Sequence, residues 1–215
     1  MTTDSFKIKA WRKSVEQAGC TISEVTTLQQ LSKRDGSPLF SLLDVAVTSP
    51  EGRPLPNFVF IRGNATVVVP LLVNTSTGEE RFLMVRQHRI GNGMLTLEFP
   101  AGMLDHENDD PASIARKELL EETGLSIPHS KLVPLWSSPL FSSAGASDEA
   151  IYYFGCRIEL KNDRFVSFQN RVRENAGERE FITVTLLTYE EALPQINSIQ
   201  ALLGFSLFHN KFVTS

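Results

Sequence analysis

KELLEETG, residues 117–124, places the three glutamates Glu118, Glu121 and Glu122 within five consecutive positions. On a helical wheel of about 100° per residue, Glu118 lies about 40° from Glu122 and about 60° from Glu121. All three share the side of the wheel on which Ile114 lies, and the basic residues take the opposite arc. We therefore expect the three glutamates on the inward side of a helix, where a solvated charged surface would not place them.

Carboxylates that face inward need a compensating positive charge. Burying one unpartnered carboxylate costs several kcal/mol, and two carboxylates one helical turn apart repel each other. Mg²⁺ is the simplest candidate, because it prefers oxygen ligands and bridges one or two carboxylates to substrate phosphates. The wheel alone leaves a second interpretation open, in which these acidic residues are surface charge that serves solubility.

The helix that carries the glutamates has recognisable ends. Asp110 belongs to the residue types that cap helix N-termini, and Pro111 suits the first helical position. Gly124 suits the left-handed residue that follows the last turn. The sequence therefore predicts a helix between Asp110 and Gly124.

Strand patterns dominate the rest of the chain. TVVVPLLV (66–73) and RFLMVRQ (81–87) predict a hairpin, and a short strand follows in GNGMLTLEFPAG. KLVPLWSS, AIYYFGCRIEL and FITVTLL predict three more strands. Because helices and strands alternate irregularly, we expect a mixed α+β fold and not a regular βαβ repeat.

The two ends of the chain add smaller elements. Residues 6 to about 20 predict a short helix around Trp11 and Val15, and SLLDVAVTSPEGRPLPNFVF predicts two strands around a turn. A final helix over 198–212 directs Ile199, Leu202 and Leu203 toward the core. The polar segment 161–177 is expected to be a flexible linker with lid behaviour as its one candidate role.

Composition narrows the class of protein. The chain has 215 residues, of which 41% are hydrophobic, and a net charge of −4, so we expect a globular protein without nucleic acid or a membrane as partner. It has no apolar run of 18 residues and no apolar stretch near its start, so a cytoplasmic location is expected. Cys20 and Cys156 lie far apart outside any CxxC motif, which indicates packing roles in a reducing compartment.

Residues 98–125, EFPAGMLDHENDDPASIARKELLEETGL, resemble the signature of the Nudix hydrolases, metal-dependent enzymes that cleave a nucleoside diphosphate linked to another group. The family pattern is Gly, five residues, Glu, seven residues, Arg-Glu, a hydrophobic residue, any residue, Glu-Glu, any residue, Gly and a hydrophobic residue. Its second half is matched from Glu118 to Leu125, with Lys117 in place of the arginine.

The first half of the signature departs from the family pattern. Asp109 takes the place of the first glutamate, and Gly102 lies one residue too far upstream. One inserted residue in the loop 105–110 explains both departures. They affect the auxiliary positions and leave the glutamates of the second half intact.

The resemblance implies which groups hold the metal. The first contacts are assigned to the side chains of Glu118 and Glu122 and to the backbone carbonyl of Ala101, with Glu121 as a supporting carboxylate. Glu122 is thereby also a catalytic residue. The expected ion is Mg²⁺, with Mn²⁺ as the alternative, and the resemblance implies two or three ions.

The sequence around the signature resembles the ADP-sugar diphosphatase branch of the family, which includes ADP-ribose and ADP-glucose hydrolases. NFVFIRG, VRQHRIG, the loop FSSAGASDEA and GEREFITV carry this likeness. It implies a Nudix-type α/β/α sandwich with a mixed sheet over residues 61–215. It also implies a small N-terminal β-rich unit over residues 1–60 that forms a homodimer and contributes to the adenine pocket.

Two arginines and a glutamate are candidates for substrate binding. Arg86 and Arg89 lie at the end of the strand RFLMVRQHR, where guanidinium groups can donate hydrogen bonds to phosphate, although arginines at strand ends are commonly solvated. By resemblance Arg89 is the arginine that contacts the diphosphate, and Arg86 is left open. Glu98 contacts the substrate or the metal shell, or it only ends a strand.

Hydrolysis also needs a base that takes a proton from water, and an acidic residue on a mobile loop suits this role. Glu149, in Ser-Asp-Glu-Ala, falls at the position of the loop glutamate of the branch, so the resemblance makes it the catalytic base. Asp148 is the rival candidate, and an ordinary acidic loop is the alternative.

These residues together predict an enzyme that uses Mg²⁺ to hydrolyse the diphosphate bond of ADP-sugars, giving AMP and a sugar phosphate. One alternative is a Nudix-fold module that binds an ADP-sugar with little turnover. Another is a diphosphatase for a different nucleotide sugar such as UDP-glucose. No residue pattern identifies the sugar.

Overall fold

The computed structural model describes residues 5–34, 36–175 and 180–213. The helices are α1 (Phe6–Gln17), α2 (Pro111–Glu118), α3 (Asn162–Val166), α4 (Tyr189–Ala192) and α5 (Ile199–Phe212). A π-helical turn, Leu119–Thr123, continues α2, and 3₁₀ turns cover His129–Lys131 and Leu193–Gln195. The strands are β1 (Thr21–Ser32), β2 (Pro38–Thr48), β3 (Phe58–Ile61), β4 (Ala65–Asn74), β5 (Glu80–Arg89), β6 (Met94–Glu98), β7 (Ala101–Met103), β8 (Val133–Pro134), β9 (Leu140–Phe141), β10 (Ala150–Leu160), β11 (Arg171–Asn175) and β12 (Glu180–Leu187).

The chain forms two compact units, and the first comprises the residues up to Ala65, Met103–Asp109 and Leu140–Ile151. Its antiparallel sheet has the order β1-β2-β3. Buried and exposed positions alternate along β2, and the buried side chains pack against Ile8 of α1. The predicted N-terminal helix is therefore confirmed. The sequence patterns missed β1, because nearly all of its positions are exposed and no apolar alternation marks it.

The second unit contains the larger sheet, with strand order β11-β12-β5-β4-β10-β8 and with β6 and β7 paired to β5 and β4. The predicted hairpin of β4 and β5 is confirmed. The backbone N–H of Thr75 donates to the carbonyl of Leu160 at 2.9 Å, so β4 and β10 end side by side and run parallel. With its antiparallel pairs, the sheet is therefore mixed, as predicted.

Helices cover both faces of this sheet. On one face, Ala115 of α2 and Phe165 of α3 pack with Leu83 and Val184 of the central strands. On the other face, the ring of Phe205 in α5 lies 4.7 Å from the ring of Phe82 and 4.8 Å from that of Phe99. The α/β/α sandwich that the sequence predicted is confirmed.

Two expectations about the C-terminal part were wrong. Most of the segment 161–177 is folded as α3 and β11, because Phe165 and Phe168 are buried in the core; its last two residues lie outside the described ones. In α5, Ile199 is 80% exposed and Leu202 is 49% exposed, whereas Phe205 and Phe208 are buried. The two aromatic side chains bury the larger apolar surface, so they set the inward face of the helix.

Within the described part of the chain, no helix combines the length and the apolar character that crossing a membrane requires.

Candidate active site

The signature helix begins and ends where the sequence predicted. The Asp110 carboxylate accepts a hydrogen bond from the backbone N–H of Ser113 at 2.9 Å, which caps the first turn, and Pro111 follows at the start of the helix. Gly124 has φ 78°, the left-handed conformation that favours glycine. Between them the last turn widens into a π turn at Leu119–Thr123. Such turns are rare in proteins overall, and those that occur are often found at functional sites.

Glu118 lies against the backbone of the strand that follows the Pro-Ala turn. A Cβ atom added at Gly102 would overlap the Cγ, Cδ and Oε1 atoms of Glu118, so the carboxylate occupies the space that any other residue would fill. Ala101 precedes Gly102 in β7. The structure therefore brings the Glu118 carboxylate next to the Ala101–Gly102 backbone and explains the glycine of the signature by close approach.

Glu122 follows Glu118 by one helical turn and is buried, with 7% of its surface exposed. Ala115 and Leu119, on the same side of the helix, are fully buried. The buried direction of the helix is thus set by these apolar residues, and Glu122 lies within it.

Glu121 does not face inward, contrary to the expectation from the wheel. Its side chain is 45% exposed and its Oε2 atom lies 3.6 Å from Nζ of Lys117 in an i,i+4 ion pair. Ala115 and Leu119 place the buried direction about 140° from Glu121, whereas the wheel took Ile114 as its centre. The supporting role of Glu121 in the metal shell stays a prediction.

The donor set fits a divalent cation with oxygen ligands. Glu118 and Glu122 offer carboxylate oxygens, and Ala101 offers a backbone carbonyl on the strand against which Glu118 packs. Mg²⁺ is bound by one or two protein carboxylates and keeps several waters, so this set suffices. Among the described residues, no group of three or more His, Cys, Asp and Glu side chains is arranged to hold a metal.

Asp109, at the position of the first signature glutamate, closes the loop before the helix. Its Oδ2 atom accepts hydrogen bonds from the backbone N–H groups of Asp105 and His106, both at 2.8 Å. These two hydrogen bonds hold the loop from Asp105 to Asp109 in shape.

Arg89 and Glu98 are brought together on the face of the sheet that carries α2. Nε of Arg89 donates to Oε1 of Glu98 at 3.1 Å and Nη2 donates to Oε2 at 2.7 Å, a bidentate pair. Thr96 donates from its hydroxyl to the same carboxylate at 2.6 Å. Arg89 keeps 38% of its side chain exposed, so its guanidinium is oriented and still accessible.

Arg86 lies apart from this pair. Side chains alternate along a strand, so Arg86 shares the face of Phe82 and Met84, whereas Arg89 shares the face of Leu83 and the signature helix. Its Nη2 atom donates to Oε1 of Gln195 at 2.5 Å. Of the two arginines that the sequence left as candidates, the structure places Arg89 near the signature.

In the first unit, Glu149 is buried and held by two partners. Its Oε1 atom lies 2.8 Å from Nε of Arg62, and its Oε2 atom accepts a hydrogen bond from the Ser142 hydroxyl at 2.6 Å. Glu149 is 7% exposed and directly precedes β10. Both carboxylate oxygens are engaged in this conformation, and the mobility expected of this loop stays a prediction.

Asp148 has a structural role in the same unit. Its carboxylate accepts hydrogen bonds from the backbone N–H of Arg62 at 2.7 Å and from that of Gly63 at 3.1 Å. Burial raises the pKa of Asp148, and these two hydrogen bonds lower it in part. The carboxylate thus fastens the loop before β10 to the chain after β3.

Sequence reasoning missed the partners of these glutamates. Ser142 lies seven residues before Glu149 in the FSSAGASDEA loop, and Arg62 lies in the NFVFIRG stretch, but neither stretch indicates that these side chains contact Glu149. Arg173, whose Nε and Nη2 atoms donate to the backbone carbonyl of Glu121 at 3.2 Å, was also missed, because the segment around it was expected to be a flexible linker. Its alternation of basic and other residues, RVR at 171–173, was the available sign of a strand.

In comparisons with known proteins, the chain is similar to proteins named as hydrolases or pyrophosphatases. It is 28% identical to "Nudix hydrolase 14, chloroplastic" of Arabidopsis thaliana over 95% of this chain and 70% of that protein. It is 34% identical to the GDP-mannose pyrophosphatase of Escherichia coli over 65% of this chain and 68% of that protein. The solved structure of an ADP compounds hydrolase shares the fold, with a TM-score of 0.58 and 17% identity over 89% of this chain and 93% of that chain.

The sequence profile of the NUDIX domain matches residues 64–202, which is more than half of the chain and includes the whole signature helix. Since the pair of glutamates, the glycine beside them and the fold agree with that match, this chain belongs to the Nudix hydrolase family and is an enzyme.

Proposed function

We propose that this Nudix hydrolase cleaves the diphosphate bond of ADP-sugars, ADP-ribose and ADP-glucose among them, in a reaction that depends on Mg²⁺. The observation that carries the proposal is the placement of Glu118 over the backbone of Gly102 with Glu122 buried one turn later. Two carboxylates in such a place are best explained by a divalent cation between protein and diphosphate.

The bound cation would neutralise charge on the diphosphate and make the attacking water more acidic. Glu118, Glu122 and the carbonyl of Ala101 would hold it. Arg89 donates hydrogen bonds to the phosphate oxygens, and Glu98 aligns the guanidinium for that contact. In this proposal Glu98 orients Arg89 before the substrate binds, which limits the reorganisation needed during the reaction.

Glu149 is the proposed base. To take a proton from water, its carboxylate has to exchange at least one of its present partners, Arg62 or Ser142, for that water.

The preference for adenine nucleotides rests on the resemblance of the sequence outside the signature. The similarity to a protein named GDP-mannose pyrophosphatase supports the wider class of nucleotide sugars and makes GDP-mannose a second candidate substrate. UDP-glucose stays a third. Assembly as a homodimer and a cytoplasmic location stay predictions.

A phosphate-release assay with added phosphatase tests the function. The purified protein is given Mg²⁺ and, in turn, ADP-ribose, ADP-glucose, GDP-mannose and UDP-glucose, with the Glu122→Gln variant as control. We expect kcat/KM for the best ADP-sugar to exceed that for the other two nucleotides at least about tenfold, and E122Q to lose about a hundredfold or more. Highest activity on GDP-mannose would replace the ADP-sugar assignment, and binding of ADP-ribose without phosphate release would identify a binding module.

A further inference from the structure

Three arginines outside the signature surround the C-terminal end of the π turn. Arg164 donates from Nη2 to the carbonyl of Gly124 at 3.1 Å, and its guanidinium lies 4.7 Å above the ring of Phe168. Nη1 of Arg171 lies 2.9 Å from the position of a Cβ added at Gly124. Arg173 reaches further back, into the π turn itself. Positive charge at the C-terminal end of a helix is favourable.

Arg173 donates hydrogen bonds to two consecutive backbone carbonyls of that turn. Its Nε and Nη2 atoms both donate to the carbonyl of Glu121 at 3.2 Å, and Nη2 also donates to the carbonyl of Leu120 at 3.3 Å. The carbonyl of Glu121 belongs to the peptide bond that joins Glu121 to Glu122. The guanidinium therefore fixes the peptide plane immediately before the buried glutamate.

The edge strand β11 puts Arg173 in this place. Arg173 pairs with Ile182 and Arg171 pairs with Val184, whose side chain packs in the same core cluster as Leu119 of the π turn. Alternation along the strand puts both arginines on that face and turns Val172 to the other, where it is 68% exposed.

We propose that Arg173 is a positioning residue for the metal site, an inference that rests on the proposed function. A π turn is less common than α-helical geometry, and a turn without its external donor can relax to the α-helical register. Such a change of register rotates the residues after Leu119 about the helix axis and shifts the Glu122 carboxylate relative to that of Glu118, although both stay on one side of the helix. Arg173 holds Glu122 in the orientation that binds the cation.

Substitution of Arg173 separates this role from simple stabilisation. Arg173→Ala is expected to weaken Mn²⁺ binding about tenfold, as loss of an orienting partner does at other metal sites. Arg173→Lys keeps the charge but loses the planar fork, so its affinity is expected to fall between those of the wild type and the alanine variant. The KM for substrate at saturating Mg²⁺ is expected to stay within about twofold, because the hydrogen bonds that Arg173 donates within the described part of the chain go to backbone carbonyls.

Arg164→Ala is the matched control. It also removes an arginine hydrogen bond at this helix end, but the bond goes to Gly124, after the π turn. We expect Arg164→Ala to lower the thermal midpoint about as much as Arg173→Ala and to leave Mn²⁺ affinity within about twofold of the wild type.

Mn²⁺ binding to the full-length protein without substrate is measured by electron paramagnetic resonance of the free ion, with the thermal midpoint of each variant alongside. A tenfold weaker affinity in Arg173→Ala alone supports the proposal. Unchanged affinity in that variant, or equal losses in both variants that follow the thermal midpoints, overturns it while the metal site stands. A wild type that binds no Mn²⁺ overturns the proposed metal site together with this inference.

Discussion

Gly102 and Glu118 show how a single residue type can decide whether a carboxylate reaches its site. The side chain of Glu118 passes through the space where every residue other than glycine has its Cβ atom. Glu118 belongs to the helix and Gly102 to β7, so the two meet only in the folded chain. A methyl group at residue 102 would therefore displace the Glu118 carboxylate while leaving the chemical identity of every proposed metal ligand unchanged.

Gly102→Ala is expected to weaken the dependence of activity on Mg²⁺, raising the half-saturating concentration about tenfold, because the Glu118 carboxylate must move aside. The side chain is flexible, so the free energy of unfolding is expected to fall by only about 1 kcal/mol. Titration of activity with Mg²⁺ and urea unfolding measure the two effects. Gly91→Ala is the control, since nothing lies within 4 Å of a Cβ there. An unchanged Mg²⁺ titration in Gly102→Ala would contradict the placement of Glu118.

Two substitutions that replace a carboxylate with an amide of the same shape test whether Glu149 or Asp148 acts as the catalytic base. Glu149→Gln removes the proposed base and is expected to lower kcat about a hundredfold, with KM little changed. Asp148→Asn keeps an oxygen that accepts from Arg62 and Gly63, so kcat is expected to stay within about threefold. Steady-state kinetics of both variants decide the matter: full turnover in Glu149→Gln removes it as the base.

At the scale of elements, α5 shows that apolar residues do not all point the same way. Phe205 is 3% exposed and its ring lies 5.2 Å from the ring of Tyr189, besides its contacts with Phe82 and Phe99. A Cβ atom added at Gly204 would lie 3.0 Å from the Phe99 ring, so the glycine lets this ring approach the helix backbone closely. The helix is therefore fixed to the sheet by aromatic packing and by a small residue that permits close approach.

Phe205→Ala is expected to lower the free energy of unfolding by about 3–5 kcal/mol, because it leaves a cavity among aromatic rings. Ile199→Ala, in the same helix, removes a side chain that is 80% exposed and is expected to cost less than about 0.5 kcal/mol. Urea unfolding of the two variants gives these values. Equal losses would show that the buried face of α5 is wrongly assigned.

Cys156 in β10 is fully buried, and burial raises the pKa of its thiol to about 12. In the folded protein this thiol is expected to resist alkylation at pH 8, since the thiolate is the reactive form. Between the ordinary thiol pKa of 9.0 and about 12, only the unfolded chain ionises at this group, so stability falls as pH rises through that window. Mass spectrometry after iodoacetamide treatment checks this: modification of Cys156 as fast as of half-buried Cys20 would contradict it.

At the scale of the whole molecule, the features that could be predicted from the sequence are those that depend on residues close together in the chain. The cap at Asp110, the left-handed Gly124 and the β4–β5 hairpin follow from residue types and short patterns. The outward direction of the Glu121 side chain and the hydrogen bonds of Arg173 to the π turn cannot be predicted in this way. They depend on packing between elements that are distant in the chain. The mixed sheet and its two helical layers came from the family resemblance and not from periodicity.

The predicted homodimer is tested by mass in solution. Light scattering after size-exclusion chromatography is expected to give twice the 24.0 kDa of one chain at micromolar concentration. The physical reason is that the first unit leaves large apolar side chains such as Leu28 and Leu31 about half exposed, and a second copy can cover them. A mass of one chain at every concentration would contradict the expectation.

The central claim is that Glu118 and Glu122 act together as ligands of a divalent cation. A crystal structure with Mn²⁺ and a slowly hydrolysed ADP-ribose analogue tests it most directly, through the anomalous signal of the metal. We expect a peak at a coordination distance of about 2.2 Å from oxygens of both carboxylates, with diphosphate oxygens on its far side. Carboxylates that point into bulk water, with no anomalous peak beside either, would contradict the account.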